Sequence, residues 1–395
     1  MSGLVPNARS RRVEESATLA ISAEAARLKA AGRDVVSLGA GEPDFPAPAV
    51  VARAGVEAIE RHDYRYTATS GVPALREAGA AWLRETFGLD YSPAEVMVTA
   101  GAKGALHMAL ETLLEPGDRV LVLAPYWVSY PALVSMAGGE AVVVDAMPER
   151  GFVHDAETLA RAADEHGAKG VIYNSPNNPS GAVAARQDVE ALVTLCRERD
   201  MWILSDEIYA TLLYDGARHT SPATLPGGRE RTVVVNGFTK SHTMTGWRTS
   251  FLAAPEPLVQ AVGRVQSQLL GNPCTISQAA MLAACRSPLP EEQEMRMKAF
   301  AARRALLIDE VNRIEGLSLA PPMGAFYALI DARPLCERRG IDDLEACRQL
   351  LEQELLALVP GSAFAAPGFV RASYAASTET LQEAVTRLRR WAEGA

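Results

Sequence analysis

The chain has 395 residues, of which 48% are apolar and 22% charged, and its formal net charge is −9. These proportions are typical of a globular protein, and an acidic chain without a basic stripe is expected to bind neither nucleic acid nor an anionic membrane. No apolar run approaches the roughly 20 residues that cross a bilayer, and the arginines near the start precede no apolar segment of a secretory signal. We therefore expect a cytoplasmic protein, long enough for two domains.

Metal-binding residue types are not grouped in this sequence. The five cysteines, at positions 196, 274, 285, 336 and 347, match no zinc or redox spacing. The six histidines are scattered singly, and none forms a pair at ligand spacing. We therefore expect no metal site and reduced thiols, as is usual in the cytoplasm.

Seven short apolar segments predict strands that are covered on both faces. Helix-like segments lie between most of them, and this alternation predicts an α/β fold whose large domain has a mostly parallel seven-stranded sheet covered by helices. In chain order the segments are EVMVTA (95–100), RVLVLAP (119–125), EAVVVDA (140–146), GVIYNSP (170–176), MWILSDE (201–207), RTVVVNGF (231–238) and SFLAAP (250–255).

The pattern changes after Pro255, where long helical segments dominate, notably 290–314. Shorter strand signals follow in GAFYALIDA, LALVPGSAF and FVRASYAAS, which together predict a smaller α+β domain. A helix predicted over 16–32 is expected to pack on the same domain. We therefore predict a large domain at 47–285 and a small domain formed by 1–46 and 286–395.

Special residues follow five of the predicted strands, at the edge where open parallel sheets bind ligands. In chain order these residues supply an anion cradle in AGAKGAL, aromatic faces in PYWVSYP, an amide in NSPNNPSG, an acid in SDEIYA, and a lysine with an arginine in FTKSHTMTGWR. Each has an ordinary explanation: Asp206 can cap a helix, Trp127 can be core, and Lys240 can be a surface lysine. Together they predict pyridoxal 5′-phosphate, which needs an amine for its aldehyde, donors for its phosphate, a carboxylate for its ring nitrogen and a flat neighbour.

The order of six motifs resembles that of the class I aminotransferases among the fold type I pyridoxal-phosphate enzymes. The likeness covers nearly the whole chain, and within the family it is similar to the bacterial aspartate and aspartate/prephenate aminotransferases. The motifs are GAGEPDFPAP (39–48), YTATSGVPALREA (66–78), APYWVSYP (124–131), NSPNNPSGAV (174–183), SDEIYATLLY (205–214) and KSHTMTGWR (240–248).

The resemblance implies a role for each cofactor-binding residue. Lys240 would form the Schiff base and then transfer the proton of the reaction. Tyr66 would reach the phosphate in a neighbouring subunit, which implies a homodimer with shared active sites. The other implied contacts are Gly101, Ala102, Lys103 and Arg248 to the phosphate, Asp206 to the pyridine nitrogen, Tyr209 and Asn178 to the 3′ oxygen, and Trp127 to the ring.

The resemblance also implies substrate contacts. Arg371 would bind the α-carboxylate, for which a bidentate guanidinium is suited, and Gly41 would allow close approach. Lys103, helped by Thr18, would contact the distal carboxylate of an acidic substrate, and Trp127 and Asn178 would also border the substrate. The ordinary alternatives are a solvated strand end for Arg371, a solvated Lys103 and a helix cap at Thr18.

The chain departs from the family at several positions. Thr249 and Ser250 replace the apolar residue and glycine usual after the tryptophan–arginine pair, and Leu269 and Leu270 stand where small hydroxyl residues are common. His242 and His107 stand where less polar residues are common. These departures leave the substrate open.

The expected reaction is ping-pong transfer of an amino group between an acidic amino acid and a 2-oxo acid. One alternative is a specialised enzyme with the same cofactor, which carries out elimination, replacement, cyclisation or oxidation in secondary metabolism. The other is a regulatory module that has lost catalysis, and the presence of Lys240, Asp206 and Arg248 argues against it.

Overall fold

The computed structural model describes residues 4–11, 13 and 16–394. Its strands are β1 (Val36–Ser37), β2 (Val96–Thr99), β3 (Arg119–Leu123), β4 (Glu140–Val144), β5 (Gly170–Asn174), β6 (Trp202–Asp206), β7 (Thr232–Asn236), β8 (Ser250–Ala253), β9 (Tyr327–Asp331), β10 (Leu356–Ala357), β11 (Val359–Pro360) and β12 (Phe369–Ser373). Its α-helices are α1 (Ala8–Arg11), α2 (Ala17–Ala30), α3 (Ala49–Glu60), α4 (Pro73–Phe87), α5 (Ala102–Leu113), α6 (Tyr130–Met136), α7 (Ala156–His166), α8 (Arg186–Glu198), α9 (Glu256–Leu269), α10 (Thr275–Arg286), α11 (Pro290–Val311), α12 (Arg333–Arg339), α13 (Asp343–Glu354) and α14 (Thr378–Glu393).

The large sheet has seven strands in the order β2-β8-β7-β6-β5-β3-β4. The strands run parallel except β8, which is antiparallel to β2 and to β7. The predicted α/β fold with a mostly parallel seven-stranded sheet is therefore confirmed, and each of these seven strands lies inside its predicted segment. Because β2, β3, β5, β6 and β7 point the same way, their carboxyl ends meet at one edge of the sheet.

Helices cover both faces of this sheet because successive strand residues point to opposite sides. In β6, Leu204 packs with α5, α6 and α9, whereas Ile203 packs with α7 and α8 on the other face. Burial on both faces fails at the edge strand β4, where Val143 is 41% exposed. The prediction that all seven strands are covered is thus wrong for β4. The strand at the other edge, β2, is buried throughout, because α4 and α9 pack against it.

A three-stranded antiparallel sheet, in the order β11-β12-β9, lies later in the chain, beside a parallel pair of β1 and β10. Phe300 of α11 and Leu381 of α14 belong to its apolar core. The N-terminal helix α2 packs there as predicted, since Ala25 contacts the cluster of Val35 and Ala357. The boundaries at 46/47 and 285/286 remain our proposal, and they fall just before α3 and at the end of α10.

Candidate active site

A cavity of about 300 Å³ lies at the edge where the parallel strands end. All of the predicted site residues except Gly101 and Tyr66 line it. It also contains Tyr130 and Tyr327, which the sequence analysis did not single out. The strand ends therefore bring residues from distant parts of the chain into one pocket, as parallel sheets do.

Lys240 lies in the loop that follows β7, and its side chain is half-buried. Its Nζ donates a hydrogen bond of 2.6 Å to the carbonyl of Gly41 and lies 5.8 Å from the ring centre of Tyr209. Two residues of this loop, Thr243 and Arg248, have left-handed backbone conformations with φ of 52° and 53°. Such conformations are costly for residues other than glycine and are concentrated at functional sites.

Asp206 is the last residue of β6 and is only 4% exposed. The hydroxyl of Tyr130 donates to its Oδ2 at 2.8 Å, and the Ile208 N–H donates to its Oδ1 at 3.3 Å. Burial raises the pKa of Asp206 from 3.8 to about 6, although these two bonds and the charge of Lys240 oppose the rise in pKa. The site therefore holds an oriented carboxyl group whose charge depends on nearby cations.

The start of α5 forms a cradle for an anion. Gly101 precedes the helix with φ of 80°, which disfavours a side chain. A Cβ added there would lie 2.8 Å from Nη2 of Arg248, so the absence of a side chain also lets the guanidinium approach. The first amides of a helix have no intrahelical acceptor, and those of Ala102 and Lys103 are therefore suited to a phosphate.

Arg371, in β12, is 2% exposed and is not a solvated strand end. Its Nη1 donates to Oδ1 of Asn178 at 3.0 Å and its Nη2 to the carbonyl of Gly39 at 2.6 Å. The rings of Tyr327 and Phe364 lie 4.7 and 4.8 Å from the guanidinium carbon. Burial lowers the pKa of Arg371, and its Nε has no partner among the described residues, as expected for a group awaiting an anionic ligand.

Two tyrosines that line the cavity contact each other. The hydroxyls of Tyr209 and Tyr327 are 2.9 Å apart. A Cβ at Gly41 would lie 2.2 Å from the Tyr327 hydroxyl, so only glycine fits against this tyrosine. Tyr327 thus contacts a predicted cofactor residue, packs on Arg371 and requires the small residue at position 41.

Lys103, Trp127 and Thr18 form the remaining wall. The Nζ of Lys103 lies 4.8 Å from the ring centre of Trp127. Partial desolvation, and then the charge of Arg248, lower the pKa of Lys103. The Oγ1 of Thr18 is buried without a partner in the described part of the chain, and it is therefore not a helix cap. A hydroxyl in this state remains available to a ligand.

The departures from the family pattern do not line this pocket. Ser250 faces Gly237, where an added Cβ would lie 3.3 Å from the Ser250 Cα, so a glycine on the adjacent strand end provides the space. His107 and Leu270 line a larger cavity of about 870 Å³, which shares Lys103 and Arg248 with the first. Leu269 is exposed, and Tyr66 is 97% exposed and outside its own chain's cavity.

Among the residues that the structure describes, no group of histidine, cysteine, aspartate and glutamate could hold a metal ion. Within 4–11, 13 and 16–394, no helix has the length and apolar character needed to cross a membrane.

Comparison with known proteins gives the family. The family model of class I and II aminotransferases matches residues 33–388. The chain is 42% identical over 382 residues to an aspartate aminotransferase of Geobacillus stearothermophilus, with 96% of each chain covered. It is 43% identical over 386 residues to an aspartate/prephenate aminotransferase of Thermus thermophilus, covering 96% of this chain and 98% of the relative.

Solved structures agree with the sequence relatives. An aspartate aminotransferase from Thermus thermophilus with maleate has a TM-score of 0.92 at 42% identity, covering 99% of this chain and 100% of that one. One from Rhizobium meliloti has a TM-score of 0.95 at 37% identity, with 99% of both chains covered. The chain therefore belongs to the class I and II aminotransferases, and it is a pyridoxal-phosphate-dependent enzyme of fold type I. These relatives do not favour the specialised alternative reactions.

The residues present fit this cofactor. The cavity offers an amine at Lys240, a buried carboxyl group at Asp206 and a helix N-terminus that a side chain at Gly101 would obstruct. An aromatic face at Trp127 and a guanidinium at Arg248 complete the set. Each chemical need of pyridoxal phosphate is thus matched by a residue of the right type.

Proposed function

We propose that this aminotransferase uses an acidic amino acid as donor and a 2-oxo acid such as 2-oxoglutarate as acceptor, in a ping-pong reaction. The observation that carries the proposal is the pair of cations Arg371 and Lys103, which line the same cavity as Lys240. A dicarboxylate presents two anionic groups, and two cations in one pocket suit it. The names of relatives as aspartate or aspartate/prephenate aminotransferases, and a structural neighbour solved with the dicarboxylate maleate, support this choice.

Lys240 carries the cofactor covalently in this proposal. When bound, pyridoxal phosphate supplies an aldehyde that links to amines and a ring that withdraws electrons from the substrate α-carbon. The Nζ of Lys240, as a free amine, would be the base that takes the proton from the α-carbon and the acid that delivers it to the former aldehyde carbon, which is a 1,3-proton shift.

The remaining cofactor contacts follow from the chemistry of each side chain. The Asp206 carboxylate accepts the pyridine N–H, with its orientation fixed by Tyr130. The Tyr209 hydroxyl and the Asn178 amide would donate to the 3′ oxygen. Arg371 donates to the amide oxygen of Asn178, which leaves the NH2 group of Asn178 as the donor. The proposed set is completed by Trp127 on the ring and by Gly101, Ala102, Lys103 and Arg248 at the phosphate.

Arg371 binds the α-carboxylate in the proposal. Its guanidinium is stacked between two rings, so its plane is held before a ligand arrives. Gly41, Trp127 and Asn178 border the same space, and the small residue at 41 leaves room for the carboxylate. The side chain of Lys103 and the unpartnered Thr18 hydroxyl receive the distal carboxylate.

The assembly and location belong to the same proposal. We propose a homodimer in which Tyr66 completes the phosphate site of the neighbouring subunit, since its ring is exposed and outside the cavity of its own chain. The five cysteines are free thiols, which fits the predicted cytoplasmic location. Residues 47–285 are the proposed large domain, and 1–46 with 286–395 the small one.

Two experiments test the proposal. Borohydride reduction of the holoenzyme should leave a pyridoxyl group on one lysine, which peptide mapping should locate at 240. Lys103→Ala should then be assayed with an acidic and a neutral amino acid. Alanine keeps the backbone amide for the phosphate and removes the side chain that carries the amine, so kcat/KM should fall about 10- to 100-fold for the acidic donor and hold for the neutral one.

Lys298→Ala is the matched control, because this lysine is exposed on α11 and pairs only with Glu294 across one helical turn. It should leave both substrates unaffected. An equal loss for acidic and neutral donors in Lys103→Ala would remove the dicarboxylate assignment while leaving the cofactor assignment in place.

A further inference from the structure

The segment 39–46, which precedes the proposed large domain, accepts hydrogen bonds from Lys240 and from Arg371. Its Gly41 carbonyl accepts from Lys240 Nζ at 2.6 Å, and its Gly39 carbonyl accepts from Arg371 Nη2 at 2.6 Å. Glu42 also accepts a hydrogen bond from Thr245 in the loop that carries the lysine. The position of this segment therefore affects what Lys240 and Arg371 can reach.

One face of α11 holds the segment in place. Arg303 forms a bidentate pair with Asp44, with distances of 2.8 and 2.7 Å. The ring of Phe300 meets that of Phe45 edge-on, with 5.4 Å between their centres. One turn before Phe300, Arg296 Nη2 donates to the carbonyl of Pro46 at 2.8 Å. Residues 296, 300 and 303 recur at helical spacing and so share this face.

Arg296 differs from Arg303 because it has a second partner in the lysine loop. Its Nη1 donates to the carbonyl of Ser241 at 3.1 Å, and Ser241 is the residue directly after Lys240. A single planar guanidinium thus joins the backbone beside the lysine to the backbone of the 39–46 segment. The fixed geometry of a guanidinium makes the separation of the two carbonyls a property of one rigid group.

Arg296 is buried, and its bonds to these two carbonyls account for a charged residue at this position. Arg296 is 5% exposed, and burial lowers its pKa. The carboxylate of Glu292 is 3.5 Å away, and Nε has no partner within the described residues. A buried charge whose ion pair is this long is costly, and an apolar side chain could fill the same space. The two carbonyl bonds are what an apolar side chain could not provide.

His242 ties the same loop to α11 a second time. Its Nδ1 lies 2.9 Å from Oγ of Ser241, and its Nε2 lies 3.4 Å from the amide nitrogen of Gln293. Burial, and then the charge of Arg296, lower the pKa of His242 to about 4, so the ring is neutral at neutral pH. A neutral ring can accept from Gln293 while it donates to the Ser241 hydroxyl. Helix α11 thus holds the Ser241 carbonyl directly through Arg296 and the Ser241 hydroxyl indirectly through His242.

We propose that Arg296 is a positioning residue for transamination, which fixes the backbone beside Lys240 and the 39–46 segment relative to each other. The proposal rests on the proposed role of Lys240 in proton transfer. Proton transfer requires the amine to stay within hydrogen-bond reach of the α-carbon, and a misplacement of about 1 Å can cost up to about 100-fold in rate. A structural arginine without this role would affect stability and leave the proton-transfer step unchanged.

The test compares Arg296→Met with Arg303→Met, since both arginines hold the 39–46 segment but only Arg296 holds Ser241. Hydrogen exchange of the apoenzyme should rise in 39–46 for both variants, and in 241–248 only for Arg296→Met. In the holoenzyme, Arg296→Met should lower kcat about tenfold. It should also raise the deuterium isotope effect on kcat with an α-deuterated donor, whereas Arg303→Met should leave that isotope effect at the wild-type value.

Wild-type exchange in 241–248 together with a wild-type isotope effect in Arg296→Met would overturn the proposal. If Arg296→Met does not fold, Arg296→Lys replaces it, because a single ammonium cannot reproduce the two-pronged contact, and the same two readouts decide. Borohydride mapping separates this proposal from the proposed function. A label on a lysine other than Lys240 defeats the assigned role of that lysine, whereas apoenzyme exchange reports on Arg296 without the cofactor.

Discussion

Single residues of this site owe their chemistry to burial. Asp206 is an acid almost without solvent, and it is kept in one orientation by a tyrosine hydroxyl and a backbone amide. Because burial raises its pKa to about 6, the apoprotein holds this group close to its titration range at neutral pH. A bound cation, such as a protonated pyridine ring, would favour the charged form.

The affinity of the apoenzyme for pyridoxal phosphate should therefore fall as the pH drops below about 6, where Asp206 becomes protonated and can no longer accept the pyridine N–H. Titrations between pH 5 and 8, followed by tryptophan fluorescence, measure it. Asp206→Asn should bind more weakly and lose this part of the pH dependence. In Tyr130→Phe the inflection should move to higher pH, because the hydrogen bond from Tyr130 lowers the pKa of Asp206.

The difference between wild type and Asp206→Asn matters here, since the phosphate also titrates in this range. Equal slopes for the two proteins would contradict the prediction. The pH dependence of folding stability runs the other way from that of cofactor affinity. Between pH 4 and 6 the folded apoprotein binds more protons than the unfolded chain, so Asp206 reduces stability as the pH rises through this window.

The sequence predicts the neighbourhood of the site better than its internal contacts. Lys240, Asp206 and Asn178 follow parallel strands, whose ends must meet, so their shared location can be inferred from strand order alone. Tyr130 and Tyr327 were missed because their partners lie 76 and 118 residues away and no local pattern separates them from core tyrosines. The proposed roles of all these residues stay predictions.

At the scale of elements, the large sheet was predictable because its strands are short, apolar and separated by helical segments. The direction of β8 was not, since an antiparallel strand between two parallel ones has no signature in its own residues. The exposure of β4 was also missed, because it depends on which helices pack on the strand in space: β2 lies at the opposite edge of the sheet and is fully buried.

The contrast between central and edge strands gives a stability prediction. Phe251 of β8 is fully buried, and its ring would meet a Cβ at Gly79 at 2.5 Å, so it fills a tightly packed site. Phe251→Ala should lower the free energy of unfolding by about 3–5 kcal/mol. Val143→Ala on the exposed edge strand should cost less than about 1 kcal/mol. Urea unfolding of both apoproteins measures the difference, and similar losses would contradict the packing described for β8.

At the scale of the whole molecule, the site draws on both proposed domains. Lys240 and Asp206 come from the large sheet, whereas Gly41, Arg371 and Thr18 come from the segments assigned to the small domain. Ligand sites are common at such junctions. The large domain also carries a group of exposed apolar and aromatic side chains within one stretch of chain, at Val56, Ile59, Tyr64 and Tyr66. In the homodimer that we propose, a second chain would cover these side chains.

Shared active sites in a homodimer make a prediction that a self-sufficient monomer does not. Two differently tagged chains are co-expressed, one carrying Lys240→Ala and the other Tyr66→Ala, and the doubly tagged heterodimer is purified. One of its two sites then has an intact Lys240 and an intact Tyr66 from the other chain. At limiting pyridoxal phosphate this heterodimer should have about half of the wild-type activity, because symmetry gives two equivalent sites.

The control carries both substitutions on one chain, opposite a wild-type chain. The control has the same composition but no native site, so it should show only about half of the weak activity of the Tyr66→Ala homodimer. Equal activity of the two heterodimers would mean that Tyr66 serves neither site, and a more active control would mean that Tyr66 serves its own chain. With either result the shared site would have to be abandoned.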